Sequence, residues 1–171
     1  MSTDPVTSAS PARAPCPQCG APRTGHDRFC EICGFDFAAD ASGPGWAAQI
    51  APDHAYFQRV APEGLAFPYG EVGQTVALDA ARVRIGRRRE DAEDAPEIEL
   101  GDPAVSRLHA TLVRAHDGSW AIVDEGSSNG TTLNADAEPI PAHREVPLRD
   151  GDEVHVGAWT TITLALRNRA A

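Results

Sequence analysis

The chain reads as all-β: an antiparallel β-sandwich preceded by a small cysteine module and a disordered N-terminal tail. Three observations predict this. Short runs of apolar residues recur with a period of two, the repeat of a half-buried strand. Glycine-containing turn pairs punctuate them, at Asp117-Gly118, Asn129-Gly130 and Asp150-Gly151, with a further turn signal at Gly157. Pro62, Pro68, Pro96, Pro103, Pro139, Pro141 and Pro147 interrupt most windows long enough for a helix, and no segment carries a 3.6-residue apolar stripe. Many short strands at such spacing suggest two packed antiparallel sheets.

Taken in order, residues 1–15 are mostly Ser, Thr, Pro and Ala, with almost nothing to bury, and are expected to be disordered. Residues 16–37 hold the four cysteines, and residues 38–45 form a linker of small residues. Residues 46–168 form the sandwich domain. Within it, Arg82-Val83-Arg84-Ile85 puts apolar side chains on one face and arginines on the other. Trp120 and Ile122 alternate with polar or small neighbours, Val154 and Val156 flank His155, and Ile162, Leu164 and Leu166 alternate with Thr161, Thr163 and Ala165. Residues 53–71 read as an insertion after the first strand, without an assigned structure.

With 171 residues and 42% hydrophobic content there is room for one medium domain and an appendage. The net charge of −10 weighs against a general nucleic-acid binder, which needs a basic face, and against anionic membrane surfaces. It leaves room for a local anion site, because screening cuts repulsion beyond about 8–10 Å. All 15 basic residues are arginine, which a coding bias explains more simply than selection for phosphate contacts does. The densest positive stretch is Arg82, Arg84, Arg87, Arg88 and Arg89, and Glu90, Asp91, Glu93 and Asp94 follow it at once. No apolar run approaches the ~20 residues of a membrane span, and Met1 to Ser10 has neither a basic nor an apolar region of a secretory signal. A cytoplasmic protein is expected.

Cys16 and Cys19 form one CxxC pair and Cys30 and Cys33 another, with ten residues between the pairs and a glycine after each. Two thiolates three apart grip one metal if the backbone turns tightly between them, and glycine tolerates the positive φ such a turn uses. Two such turns complete a tetrahedral Cys₄ set for one structural Zn²⁺, held by Cys16, Cys19, Cys30 and Cys33. The module resembles the zinc ribbons appended to many bacterial regulatory proteins. Iron would accept the same ligands, and a redox CxxC would need a βαβ unit that is absent from the pattern.

Three further motifs follow one another: Ile85-Gly86-Arg87, Ser106-Arg107-Leu108-His109 and Ser127-Ser128-Asn129-Gly130-Thr131. Their residue types hold a phosphate without cutting it: a guanidinium fork, hydroxyls at two places, and a Ser-Asn-Gly turn that bares backbone N–H groups. Singly each is weak; Asn129-Gly130 alone is an ordinary hairpin signal. In this order and spacing they resemble the forkhead-associated (FHA) domain, a reader of phosphothreonine, over about residues 45–168. Leu148 to Val154 and Val156-Gly157 match the closing strands of that family.

The resemblance implies a non-enzymatic phosphothreonine-peptide-binding adaptor in Ser/Thr kinase signalling, whose partner is a phosphothreonine-containing protein, a kinase or its substrate. It places Arg87, Ser106, Arg107, Ser128 and Asn129 on the phosphopeptide, Asn129 holding the peptide backbone. Gly86, His109 and Gly130 would support them: Gly86 letting the chain turn out of its strand, His109 bracing the loop, Gly130 making the turn. The chain departs from the commonest pattern at Ser128, where threonine is frequent, and in the acidic stretch Glu90 to Glu97, which lengthens the loop after Arg87. A hydrolase built on Ser106 and His109 would need a nucleophile elbow that the sequence lacks. The remaining alternatives are a zinc-ribbon regulatory protein whose FHA-like domain docks partners independently of phosphate, and a transcription-associated factor.

Overall fold

The computed structural model describes residues 15–16, 19–22, 29–34, 45–90 and 93–167. The chain divides into two compact units, Met1–Ser42 and Gly43–Ala171. The expected tail 1–15, apart from Pro15, and the expected linker 38–45, apart from Gly45, lie outside the described residues.

The second unit is a sandwich of two five-stranded sheets. Its elements are β1 (Gly45–Pro52), α1 (His54–Val60), β2 (Gln74–Ala77), β3 (Arg82–Arg87), β4 (Ile98–Leu100), β5 (Ala110–Arg114), β6 (Trp120–Asp124), β7 (Thr131–Leu133), β8 (Val146–Leu148), β9 (Glu153–Val156) and β10 (Thr160–Arg167). One sheet runs β2-β1-β10-β9-β7 and the other β4-β3-β5-β6-β8. The period-two runs supply the core between them: Val83 and Ile85 of β3, Trp120 and Ile122 of β6, Val154 and Val156 of β9, Ile162 and Leu164 of β10 are all buried. Each such side chain contributes about 1.5–3 kcal/mol on burial, which fixes strand register, because a one-residue slip would turn the whole set to solvent.

The sheet β2-β1-β10-β9-β7 is wholly antiparallel, as expected, while the sheet β4-β3-β5-β6-β8 is mixed. β3 and β4 pair in parallel, with Ile85 opposite Ile98 and Arg87 opposite Leu100. A parallel neighbour requires a connection long enough to bring the chain back to its starting end. Residues 88–97, which include the acidic stretch, make that return.

Residues 53–71 contain a helix that no apolar stripe announced. α1 has seven residues, too few to show the period and too few to stand alone. Its ends are capped: Asp53 accepts a hydrogen bond from the Tyr56 N–H at 3.0 Å, and Ala61 closes the last turn in the left-handed region with φ 45°. Tertiary contacts do the rest. The Tyr56 hydroxyl donates to the Gly157 carbonyl at 3.0 Å, and its ring stacks on His155 with centroids 4.8 Å apart. So the outward face of β9 is also covered, and His155, which alternation alone would expose, is buried.

The predicted turns divide into two kinds. Gly118 (φ 83°) and Gly157 (φ 65°) sit in hairpins, β5–β6 and β9–β10. Asn129-Gly130 and Asp150-Gly151 are not hairpin tips, because β6 and β7, and likewise β8 and β9, belong to different sheets. There the chain crosses the end of the sandwich, leaving its loops free to build a site.

Candidate functional site

β3 carries the first motif. The strand does not stop at Ile85 but runs through Arg87, so Gly86 is not a turn residue. Its role is close approach: a Cβ there would collide with the backbone carbonyl of Arg107. The bare glycine lets the second motif's loop lie against the strand end. The Arg87 N–H donates to the Ser106 carbonyl at 3.0 Å, and the Arg87 Nη1 donates to the Pro103 carbonyl at 3.2 Å.

Asp102 shapes the loop between β4 and β5. It is 1% exposed. Its Oδ1 accepts from the Ala104 N–H at 3.0 Å; its Oδ2 accepts from the N–H groups of Ala158 and Trp159, at 2.9 and 3.0 Å, and from the Thr160 hydroxyl at 3.0 Å. This buried carboxylate ties the loop of the second motif to the β9–β10 hairpin. In the sequence Gly101-Asp102-Pro103 reads as a turn and nothing more. The one local signal is the Asp-Pro pair; the partners 56–58 residues away carry no mark.

His109 is fully buried and braces the same loop. Its Nδ1 accepts from the Ser106 N–H at 3.1 Å, which leaves Nε2 to donate to the Gly130 carbonyl, also at 3.1 Å. It thus joins the second motif to the third. The histidine contacts the Ser106 backbone, not its hydroxyl, so the two are not arranged as base and nucleophile. The Ser106 hydroxyl instead accepts from the Ser128 N–H at 3.1 Å, and the Asn129 Nδ2 donates to the Ala104 carbonyl at 2.8 Å. Asp124, at the end of β6, accepts from the N–H groups of Gly126 and Ser127 and from the hydroxyls of Ser127 and Thr131. Burial pushes its carboxyl up, but those bonds, the Ser127 and Thr131 hydroxyls first among them, outweigh it and hold the group below the usual carboxylate range.

The result is an open groove of about 470 Å³ at one end of the sandwich, lined by Arg87, Ser106, Arg107, Ser128 and Asn129 together. All five residues assigned to a phosphopeptide meet there, with Gly86, His109 and Gly130 directly behind them. Two other arginines of the cluster, Arg84 and Arg88, are drawn elsewhere. Arg84 is clamped by Asp94 at 2.7 Å and Glu97 at 2.9 Å, and Arg88 reaches Glu99 at 3.5 Å. The hydrogen bonds from Arg84 hold the Glu97 carboxyl down at about 2. The acidic stretch therefore engages Arg84 while Arg87 keeps a carbonyl partner and, among the described residues, no carboxylate.

Burial pushes both His109 and His155 below the ordinary histidine value of 6.5. A histidine depressed in the folded state stabilises the fold fully above 6.5, and that contribution is lost as the pH falls from there toward the folded value, because the unfolded chain takes up the proton first. Thermal melts between pH 7.5 and 5 should show the domain's midpoint falling on the acid side of 6.5. The fall should shrink in His109→Gln compared at equal ionic strength; an identical pH slope in that variant would exclude His109 as a source.

In the first unit the four cysteine sulfurs lie within 4.8 Å of one another. Cys16 and Cys33 Sγ are 3.6 Å apart, Cys19 and Cys30 Sγ 3.7 Å. Gly20 and Gly34 both take positive φ, 72° and 74°, and their N–H groups donate back to the carbonyls of Cys16 and Cys30. Hydrogen bonds, that from the Cys33 backbone first, bring the Cys30 thiol down to about 7. Four sulfurs about 2.3 Å from a tetrahedral centre stand about 3.8 Å apart, so the cluster has the dimensions of a metal site.

The profile of the family described as "FHA domain" matches residues 83–157. The "Oxoglutarate dehydrogenase inhibitor" of Corynebacterium diphtheriae is 39% identical over 90 residues, 53% of this chain and 55% of that protein. The "Glycogen accumulation regulator GarA" of Mycolicibacterium smegmatis is 35% identical over 92 residues, 54% of this chain and 51% of its own length. The chain thus spans about half the length of the curated relatives it matches. The solution structure of an FHA domain from Arabidopsis thaliana superposes with a TM-score of 0.53 at 22% identity, over 87% of this chain and 98% of that one, which is a likeness of fold. The matched stretch runs from β3 through β9 and contains every loop of the groove: the chain carries a forkhead-associated domain.

Proposed function

We propose that the protein is a non-enzymatic phosphothreonine-peptide-binding adaptor acting in Ser/Thr kinase signalling. The observation that carries this reading is the convergence of two arginines, Arg87 and Arg107, two serines, Ser106 and Ser128, and Asn129 on a single open groove. A phosphate brings about −1.5 to −2 charges and three strong acceptor oxygens. Arg87 supplies a bidentate fork, Ser106 and Ser128 supply hydroxyls, and Asn129 offers an amide to the peptide backbone. Charge-assisted bonds contribute roughly 1.5–3 kcal/mol each, and ordering the peptide offsets several kcal/mol of their sum. The balance is a reversible reader in the micromolar range. Relatives named as an inhibitor and a regulator suit a protein that acts by binding. Calorimetry with one peptide in phosphothreonine, phosphoserine and unmodified forms tests the proposal. Phosphothreonine should bind best and the unmodified peptide not measurably. Equal affinity for all three would favour docking independent of phosphate.

The cysteine unit is proposed to hold one structural Zn²⁺. Its sulfur spacing fits the ion, and metal binding would supply folding energy that so small a unit cannot gain from a core. Metal analysis of the purified protein should find one zinc per chain. Cys19→Ser or Cys30→Ser should lose the metal while the sandwich still melts cooperatively. Iron in place of zinc, or no metal with a stable disulfide in reduced extract, would refute the assignment. Thiolate ligands suit a reducing compartment, which supports a cytoplasmic location. No helix among the described residues is long and apolar enough to cross a membrane.

A further inference from the structure

The edge strands of the sandwich are β2 and β7 in one sheet and β4 and β8 in the other. An edge presents unpaired N–H and C=O groups to any strand that arrives, and soluble proteins blunt it with short strands, charge, proline or a covering loop. Three of these edges are blunted. β7 has three residues, and the chain after it turns back so that the Ile140 N–H donates to the Thr131 carbonyl at 2.8 Å. β8 has Pro147 at its centre. β4 has three residues, with Glu99 in the middle and Glu97 just before it. β2 has none of these devices: Gln74-Thr75-Val76-Ala77 carries no charge and no proline. The Leu78 N–H donates to the Trp46 carbonyl of β1, so alternation points the N–H and C=O of Val76 at β1 as well, and those of Thr75 and Ala77 away from it. Those outward groups have no partner among the described residues. The turn that leads into β2 adds apolar surface, with Tyr69 80% and Val72 88% exposed.

We propose that β2 joins two copies of this chain, pairing antiparallel with β2 of the second copy about a two-fold axis at Val76. Symmetry selects a second copy as the occupant. Thr75 and Ala77 flank Val76 evenly, so the strand turned end over end sets each outward donor of one copy on an outward acceptor of the other. Thr75 exchanges both its bonds with Ala77 of the second copy, Ala77 does so with Thr75, and the two Val76 side chains meet at the axis. Charge agrees. Each chain carries a net −10, so a contact between copies needs an uncharged centre, which β2 supplies. The antiparallel arrangement also sets the entry to β2 of one copy, with Glu71, beside the exit from β2 of the other, with Arg82. Arg82 is exposed and has no ion pair among the described residues. Specific interfaces bury about 1,200–2,000 Å² in total, and a buried tyrosine contributes about 150–250 Å². The short ladder supplies part of that area, and Tyr69 and Val72 of both copies bring the contact to the low end of the range, that of a weak dimer. With one unguarded edge per chain among the described residues, the assembly closes at two and builds no fibre. Both phosphate grooves stay open, because no residue of β2 lines them.

The test uses the full chain without peptide. Sedimentation equilibrium should show a monomer–dimer equilibrium with a dissociation constant in roughly the micromolar-to-millimolar range. Amide hydrogen exchange reads the register. The Thr75 and Ala77 N–H groups should exchange at least about tenfold more slowly in concentrated than in dilute protein, while Val76, already bonded to β1, should not change with concentration. Thr75→Pro removes an outward donor and spares the ladder to β1. Val72→Asp independently puts a charge at the apolar flank. Each variant should stay monomeric throughout the concentration range, and circular dichroism with thermal melting shows that it is folded; both positions are exposed. A parent that is monomeric at the highest concentration overturns the proposal. So does a dimer in which Thr75 and Ala77 exchange at an unchanged rate, or one that persists in both variants. None of these outcomes touches the phosphopeptide reading, which the peptide calorimetry tests separately.

Discussion

Arg87→Ala is expected to cost about 2–4 kcal/mol of phosphopeptide affinity, enough to abolish binding at working concentrations. The backbone of Arg87 is pinned where β3 ends, its N–H on the Ser106 carbonyl, so the guanidinium is delivered to the groove by a strand and not by a mobile loop. Alanine keeps that backbone bond and removes only the fork. Of the remaining groove residues, Ser106 and Ser128 offer only neutral hydroxyls, and Arg107 lies on the exposed loop before β5, so none reproduces a fork held at the end of β3. Arg87→Lys should recover little, since a point charge does not reproduce two parallel N–H bonds. Asn129→Ala should also weaken binding but keep its phosphate dependence, because in the proposed function its amide addresses the peptide backbone. Titration calorimetry of the three variants against one phosphothreonine peptide decides this, and wild-type affinity in Arg87→Ala would remove the phosphate from that end of the groove.

Asp102→Ala should be the most damaging single change to the fold among the loop residues, at about 3–5 kcal/mol. Its carboxylate accepts four hydrogen bonds, and two of the donors, the Ala158 and Trp159 N–H groups, are buried with it. Truncation leaves those donors dry and without an acceptor. Gly157 leaves no room for repair, since a side chain there would run into the Asp102 carboxylate and Val105. Against a typical domain stability of about 5–15 kcal/mol this is a large fraction. Asp102→Asn keeps one accepting oxygen and should lose less. Both should weaken phosphopeptide binding in step with stability, because the loop that carries Ser106 is anchored through this residue. Urea unfolding at neutral pH measures the first effect; a stability for Asp102→Ala within about 1 kcal/mol of the parent would show that water or a neighbour substitutes for the carboxylate.

The two changes fall on residues of very different legibility. Arg87 stood out in the sequence because its motif combines a strand end, a glycine and an arginine, and because two companion motifs follow at set spacing. Asp102 did not, because its function lies in partners 56–58 residues further on, and no local pattern encodes a contact of that range. Gly86 was legible as necessary but not for its reason: a turn was expected, while the strand continues and the glycine admits the Arg107 carbonyl.

The sequence by itself determined the core strands, the cysteine cluster and the members of the groove. Those are short-range properties: a period of two sets which face of β3, β6, β9 and β10 is buried, and two CxxC pairs with trailing glycines bring four sulfurs together. Only the tertiary structure decided what depends on distant neighbours. The parallel pairing of β3 with β4 follows from how residues 88–97 return the chain. The seven-residue α1 exists because Tyr56 finds Gly157 and His155 to hold it, about a hundred residues away in sequence. The crossing of Asn129-Gly130 between sheets, instead of a hairpin, follows from strand order, which side-chain alternation does not contain. Period and spacing report which side of an element faces inward; which element lies opposite is settled by the packing of the whole domain.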